Sequence, residues 1–200
     1  MKKFVLATAN QGKVKEMRSI LSAFGIECVS RDEVGIDIEV EETGTTFLEN
    51  ATLKATKISE LSSLAAIADD SGLMVEALGG EPGVYSSSFG GDDLTDYERC
   101  LFLLKNLENM EQRRAKFVCT IVCVFPDGDM VTAVGECHGT ISSEPAGTSG
   151  FGYDPVFIPD GYDKCMAELT SEEKNKISHR SIALQKFRTI LADRDWKGEF

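Results

Sequence analysis

Histidine is scarce in this 200-residue chain, which has only two, and neither a histidine metal cluster, a Ser–His–Asp triad nor a cysteine nucleophile stands out. The six cysteines, Cys28, Cys100, Cys119, Cys123, Cys137 and Cys165, contain no CxxC pair. That argues against a structural zinc site or a disulfide framework and for reduced thiols. Cys119 and Cys123 lie an even number apart in a strand-like stretch and share one face as small core residues. Basic charge is also short: 21 Lys and Arg against 33 Asp and Glu leave a net charge of −12. Duplex DNA, long RNA and an anionic membrane all need a basic face, so none of them is the expected partner. A small polyanion is still compatible, because a few lysines, backbone amides and a divalent cation can hold a nucleotide locally. No apolar run reaches transmembrane length. The apolar stretch after Lys2-Lys3 is too brief for a signal-peptide core and leads straight into a helix. The expectation is a cytoplasmic protein without repeats, low complexity or linkers. A hydrophobic fraction of 42% with 27% charged residues is ordinary for a globular protein. The length fits one domain over residues 1–200, with room for two lobes.

What is present reads as alternating strands and helices. Phe4-Val5-Leu6-Ala7 is a short strand, followed by a turn at Asn10-Gln11-Gly12-Lys13. Val14, Met17, Leu21 and Phe24 then recur at helical spacing. Gly25 ends that helix and Ile26 to Val29 is a second strand, a strand–helix–strand start. An acidic segment, Asp37 to Gly44, precedes a helix from about Thr46 to Leu61. Leu64 to Ala68 reads as a buried strand ending in the acids Asp69 and Asp70. After a glycine-rich loop at Leu78–Ser86, a helix carries Tyr97, Leu101, Leu104 and Leu107. Strands at about Ala115–Phe125 and Met130–Ile141 flank Pro126-Asp127-Gly128-Asp129, a hairpin turn. The loop Pro145–Pro155 leads to a short strand, Val156 to Ile158. One last helix is predicted from the capping pattern at Thr170–Glu173, with Leu184, Phe187 and Leu191 inward. The fold class is α/β, a mixed sheet flanked by helices.

Five groups could carry chemistry. In Ala68-Asp69-Asp70-Ser71-Gly72, adjacent carboxylates repel and raise each other's pKa. Such a pair is kept where a metal or proton sits between them or where one acid is a base; alone, the same residues fit an Asx turn. Thr8-Ala9-Asn10-Gln11-Gly12-Lys13 places amides at a helix N-terminus, where phosphate binds, with a lysine that opposes the helix dipole. Its one glycine excludes a Walker loop, and an ordinary Asn cap would look the same. Glu39, Glu41 and Glu42, with Glu49, Asn50 and Lys54 on the next helix, offer oxygen ligands for a hard cation or a solvated acidic face. Phe151-Gly152-Tyr153-Asp154 can stack on a base and accept from its edge, or plug a loop. Lys174 and Ser178-His179-Arg180 offer donors for carbonyl oxygens, or helix-surface charge.

In order along the chain stand TANQGK, ExxETGxTFxENAxxKA, ADDSG, GGxPGxYS, GTSGFGYDP and AELTxEEKNxISHRxxAL. Each is weak singly, but together, over nearly the whole chain, they resemble the Ham1/RdgB family of inosine triphosphate pyrophosphatases. The resemblance implies an elongated mixed α/β structure of two lobes with an active-site cleft between them, in a homodimer; exposed apolar residues near Gly79–Tyr85 are an expected interface. It implies magnesium-dependent hydrolysis of XTP, ITP and dITP to the monophosphate and pyrophosphate. It places the triphosphate on Thr8, Ala9, Asn10, Gln11, Gly12 and Lys13, with Lys54 near the phosphates. Asp70 becomes general base and metal contact, Asp69 its tuning partner, Ser71 a substrate contact, and Glu39 or Glu42 a second magnesium ligand. Phe151, Gly152, Tyr153, Asp154, Lys174, His179 and Arg180 form the base pocket. Selectivity then needs donors aimed at a purine 6-oxo group, since the 6-amino group of adenine would leave them unpaired. Ser149 stands where glycine is common in that family. The alternatives are a Maf-like pyrophosphatase of other nucleotides and a nucleotide-binding module without catalysis. The FGYD and SHR motifs count against the first, and the Asp69-Asp70 pair with Lys13 and Lys54 against the second.

Overall fold

A four-residue apolar run, an amphipathic helix and a second short run form the first layer of the fold. β1 (Lys3–Leu6) pairs in parallel with β2 (Glu27–Ser30), with Phe4 opposite Cys28 and Val5 opposite Val29. Between them α1 (Gln11–Ala23) buries Val14, Met17, Ile20 and Leu21. Its N-cap Asn10 accepts from the Lys13 N–H at 3.1 Å. α2 (Phe47–Ser62) starts with a capping box, in which the Thr46 and Glu49 side chains each bond the other's backbone. β3 (Ala66–Val75) lies parallel to β1 on its other side, with Val5 opposite Ala66. α3 (Asp96–Asn106), β4 (Arg114–Val124), β5 (Met130–Ile141), β6 (Phe157–Pro159), α4 (Ser171–Ile177) and α5 (His179–Asp193) follow. The computed structural model describes residues 3–193, and these make one six-stranded sheet in the order β2-β1-β3-β4-β5-β6. The β5–β6 pair is antiparallel, so the sheet is mixed, as the sequence predicts.

The chain divides into two compact units. The first comprises residues up to 70, then 119–135, then 180 onward; the second comprises residues 71–118 and 136–179. In the first unit, alternation along each strand sends successive side chains to opposite faces. Phe4 and Leu6 of β1 and Ile67 of β3 join Met17 and Leu21 of α1 and Leu184 and Phe187 of α5 on one face. Val5, Ala7, Ala66 and Ala68 join Ala51, Ala55 and Ile58 of α2 on the other. Cys119 and Cys123 pack in the first of these clusters. In the second unit Leu73 and Val75 of β3, Cys100 and Leu103 of α3, Phe117, Tyr153, Phe157 and Met166 share a separate core.

Three expectations change. The strand containing the two acids does not end at them: β3 continues through Asp69-Asp70-Ser71-Gly72 to Val75. The predicted last helix is two helices, interrupted at Ser178, whose ψ of 147° is extended. In α3 the buried residues are Arg99, Cys100 and Leu103, while Tyr97 and Leu101 are exposed.

Candidate functional site

The alternation that sorts the apolar residues of β3 also sorts its acids. Asp69 falls in step with Ile67, toward α1 and α5, and Asp70 in step with Ala66 and Ala68, toward α2. On its side Asp69, 1% exposed, takes an ion pair from Lys13 Nζ at 3.1 Å. Arg180 donates to it from Nη2 at 2.9 Å and Nε at 3.3 Å. Burial alone would raise the Asp69 carboxyl; Lys13, Arg180 and Lys54 outweigh it and hold the group well below the usual carboxylate range. The Lys13 ammonium, unfavourable at a helix N-terminus, is thus balanced by a buried carboxylate.

Asp70 meets α2. Lys54 Nζ donates to its Oδ1 at 3.1 Å and Asn50 Nδ2 to its Oδ2 at 3.4 Å. Lys54 also donates to Glu42 Oε2 at 3.1 Å. Burial raises the Asp70 carboxyl to about 6, Lys54 and Lys13 oppose that rise, and Glu42 adds to it. Burial presses Lys54 down, but Asp70, Asp69 and Glu42 leave it raised, a firmly held cation. Two neighbouring carboxyls are pushed apart in this way, Asp69 fixed as an anion and Asp70 poised to exchange a proton near neutrality.

The donor set fits a small hard cation. Glu42 and Asp70 offer carboxylate oxygens that already converge on one ammonium, at 3.1 Å each. Among the described residues no group of three or more His, Cys, Asp or Glu could hold a metal by itself. A cation here would complete its shell with water and phosphate oxygens, the usual habit of magnesium. Glu39 is exposed and has no ion pair with Lys54, unlike Glu42. Glu49 serves elsewhere, accepting from the Thr45 and Thr46 N–H groups at 2.7 and 3.0 Å as the helix cap.

The turn before α1 is wet: Ala9, Asn10 and Gln11 are exposed, Thr8 and Gly12 half-buried. Thr8 Oγ1 accepts from the Asn10 N–H at 3.2 Å, and the Ala9 carbonyl from Gln11 Nε2 at 3.5 Å. α1 has no acid in its first turn, which leaves its positive end suited to an anion.

The second unit carries the aromatic loop. Lys174 Nζ donates to Asp154 Oδ2 at 2.6 Å and lies 4.9 Å from the centre of the Phe151 ring. The same Asp154 oxygen accepts from the Phe151 N–H at 3.0 Å. A Cβ on Gly150, at φ +79°, would fall 2.0 Å from that oxygen. Tyr153 turns inward and donates from its hydroxyl to the Ser86 carbonyl at 2.8 Å. The His179 ring stacks on Phe117 at 4.7 Å. Ser71 is half-buried on β3.

Arg180 is expected from the sequence to stand beside His179 in the base pocket. It is 1% exposed, and all three guanidinium nitrogens donate to carboxylates, Nε and Nη2 to Asp69 and Nη1 to Glu16 at 2.5 Å. The helix breaks at Ser178 and α5 opens at His179, and the division between the units falls directly after it, so Arg180 belongs to the first unit and His179 to the second. Sequence reasoning misses Glu16, an unremarkable exposed-looking acid on α1. It groups Asn50 with the acid cluster but misses its two bonds: Asn50 Oδ1 accepts the Gly44 N–H at 2.8 Å while its amide holds Asp70. The signal was the Gly44 in ETG, since a Cβ there would sit 2.6 Å from Asn50 Oδ1.

Known proteins resemble this chain over most of its length. The Ham1 family model matches residues 4–190. A dITP/XTP pyrophosphatase of Aquifex aeolicus is 51% identical, the match covering 94% of this chain and 96% of that protein. One of Shigella flexneri is 49% identical, covering 92% and 95%. Among solved structures, a HAM1 protein from Coxiella burnetii superposes with a TM-score of 0.87 at 39% identity, over 96% of this chain and 100% of that one. The Staphylococcus aureus Ham1 protein gives 0.85 at 40%, over 96% and 98%. With a family match over most of its length and relatives near one-half identity, the chain belongs to the Ham1 family.

Proposed function

We propose that this chain hydrolyses dITP, XTP and ITP to the nucleoside monophosphate and pyrophosphate, with magnesium, in the cytoplasm. The observation that carries the reading is the split of Asp69 and Asp70 to opposite faces of β3, each against its own cation. A binding module needs phosphate-neutralising lysines but no carboxyl raised to about 6. The names of relatives at 49–51% identity support the substrate class.

Thr8 to Lys13 and the N-terminus of α1 are assigned to the phosphates, with Lys54 beside them. Asp70 is assigned the proton from a water attacking the α-phosphorus, a role suited to a group that titrates near working pH. Asp69 holds Lys13 toward the phosphates, and Arg180 and Glu16 hold Asp69 in turn. Magnesium, when held by Asp70 and Glu42, supplies charge neutralisation on the phosphates. Glu42 is preferred to Glu39 because it already reaches the ammonium that Asp70 reaches. The purine goes to the second unit's residues: Phe151 as stacking ring, Lys174 and His179 as donors, Asp154 as the acceptor that orients Lys174, Gly152 and Tyr153 as the loop frame, and Ser71 as a contact near Asp70 in the chain. The whole chain is read as one domain acting as a homodimer.

The test is pyrophosphate release from ITP, XTP, dITP, GTP, ATP, dTTP and UTP, with and without magnesium. Turnover of the first three, at least about 100-fold faster than of ATP, is the expected result. Fastest turnover of dTTP or UTP would replace the reading with a Maf-like activity. Release from none of the seven would make the chain a binding module.

A further inference from the structure

We propose that Asp96 and Cys100, one turn apart on α3, are positioning residues that clamp Gly152 and so fix how the aromatic loop is presented to the purine. The proposal rests on the assignment of Phe151–Asp154 to base recognition. Asp96 Oδ2 accepts the Gly152 N–H at 2.7 Å, and the Cys100 thiol donates to the Gly152 carbonyl at 3.3 Å. These two bonds hold the peptide planes on either side of Gly152, which has a φ of +61°. A Cβ there would meet no atom within 4 Å. One residue earlier, Asp154 holds the Phe151 N–H at 3.0 Å. Two carboxylates thus hold successive amides, and the direction of the Phe151 ring follows from both. Lys174 lies against that ring, so a shift in the loop would move the stacking surface and the nearby ammonium together. Burial lifts the Cys100 thiol to about 12, which keeps it a donor.

The competing role for Asp96 is generic: an acid in the first turn of α3 stabilises the helix dipole. The two roles respond differently to substitution. Asp96→Ala removes both acceptor and charge, whereas Asp96→Asn removes the charge and keeps an acceptor oxygen. Two readouts are measured on the full chain: hydrogen exchange across residues 149–155 without nucleotide, and kcat/KM for ITP against ATP. Under the clamp, Asp96→Ala speeds exchange of this segment about 10-fold, lowers the ITP-to-ATP ratio about 10-fold, and leaves exchange in β1 unchanged. Asp96→Asn stays within about 3-fold of the parent in both. Cys100→Ala serves as a second probe with its own expected gain in exchange, about 3-fold, should Asp96→Ala fold poorly. Unchanged exchange at 149–155 in both Asp96→Ala and Cys100→Ala would overturn the clamp. Equal losses in Asp96→Ala and Asp96→Asn would reduce Asp96 to a dipole partner and overturn it too. A parent protein inactive on every triphosphate would defeat the functional reading, and exchange alone would then decide the clamp.

Discussion

Asp69 and Asp70 are chemically identical neighbours, and the pleat of β3 gives them opposite thermodynamic signs. Asp69 has its carboxyl pulled down by Lys13 and Arg180 against the pressure of burial. Its contribution to stability is therefore fully present above the ordinary aspartate pKa of about 3.9 and is lost as the pH falls below it. Asp70 is raised to about 6 because burial outweighs Lys54 and Lys13. Between about pH 4 and pH 6 the folded state holds more protons at this site than the unfolded chain, so stability falls as pH rises through that window. Asp69→Asn should lower Tm at pH 8. Asp70→Asn, measured without divalent metal, should raise it, by about 2–4 °C per kcal/mol relieved, and the gain should shrink to nothing near pH 4. A gain independent of pH would refute the account of Asp70. Turnover should fall in Asp70→Asn by about 100-fold or more, the usual effect of removing a general base. Arg180 obeys the same logic. Arg180→Ala leaves Asp69 and Glu16 facing each other without their shared cation, a loss of about 3–5 kcal/mol for a broken buried pair. The melting curve should show it, and kcat should drop with the ITP-to-ATP ratio unchanged; a collapse of that ratio would return Arg180 to the purine.

Elements with an apolar period were legible in the sequence, and elements whose shape depends on distant charges were not. β1, α1, β2 and α2 follow from periodicity, Gly25 and the Thr46–Glu49 cap. β3 reads as ending at its acids because adjacent carboxylates ordinarily mark a wet strand end, whereas the strand continues to Val75. They stay inside the strand only because Lys13, Lys54 and Arg180, from three other elements, neutralise them. The break between α4 and α5 has no Gly or Pro to announce it and falls at a serine, Ser178, that could equally continue a helix. The 145–155 loop is legible as irregular, but its internal order depends on side chains that grip it from within and from α3, among them Asp154, which accepts the Phe151 N–H and leaves no room for a Cβ at Gly150. Gly150→Ala places a methyl where the Asp154 carboxylate lies, 2.0 Å from Oδ2, at a φ of +79° that alanine also disfavours. Asp154 should then release Lys174 and the Phe151 N–H. The expected outcome is a rise in KM for ITP of about 10-fold with kcat changed less; an unchanged KM would show that the loop tolerates Asp154 elsewhere.

At the scale of the whole molecule, the chain passes between its two units at residues 70–71, 118–119, 135–136 and 179–180. β3, β4 and β5 each contribute residues to both. The first unit's core needs Phe4 and Leu6 from the start of the chain, Ile121 and Phe125 from its middle, and Leu184 and Phe187 from near its end. Closing such long loops costs entropy that only the assembled core repays. Neither unit can gather its core from one local stretch, and melting either would fray three strands that continue into the other. Unfolding should therefore be a single cooperative transition. Two probes in different units make this testable. Asp69→Asn weakens the first unit, and Phe157→Ala opens a cavity among the fully buried residues of the second, a loss of about 3–5 kcal/mol. Followed by calorimetry and by far-ultraviolet circular dichroism, each variant should move one common transition to lower temperature without splitting it. Two resolved transitions, one shifted by Asp69→Asn and the other by Phe157→Ala, would show that the units melt independently despite the strands they share.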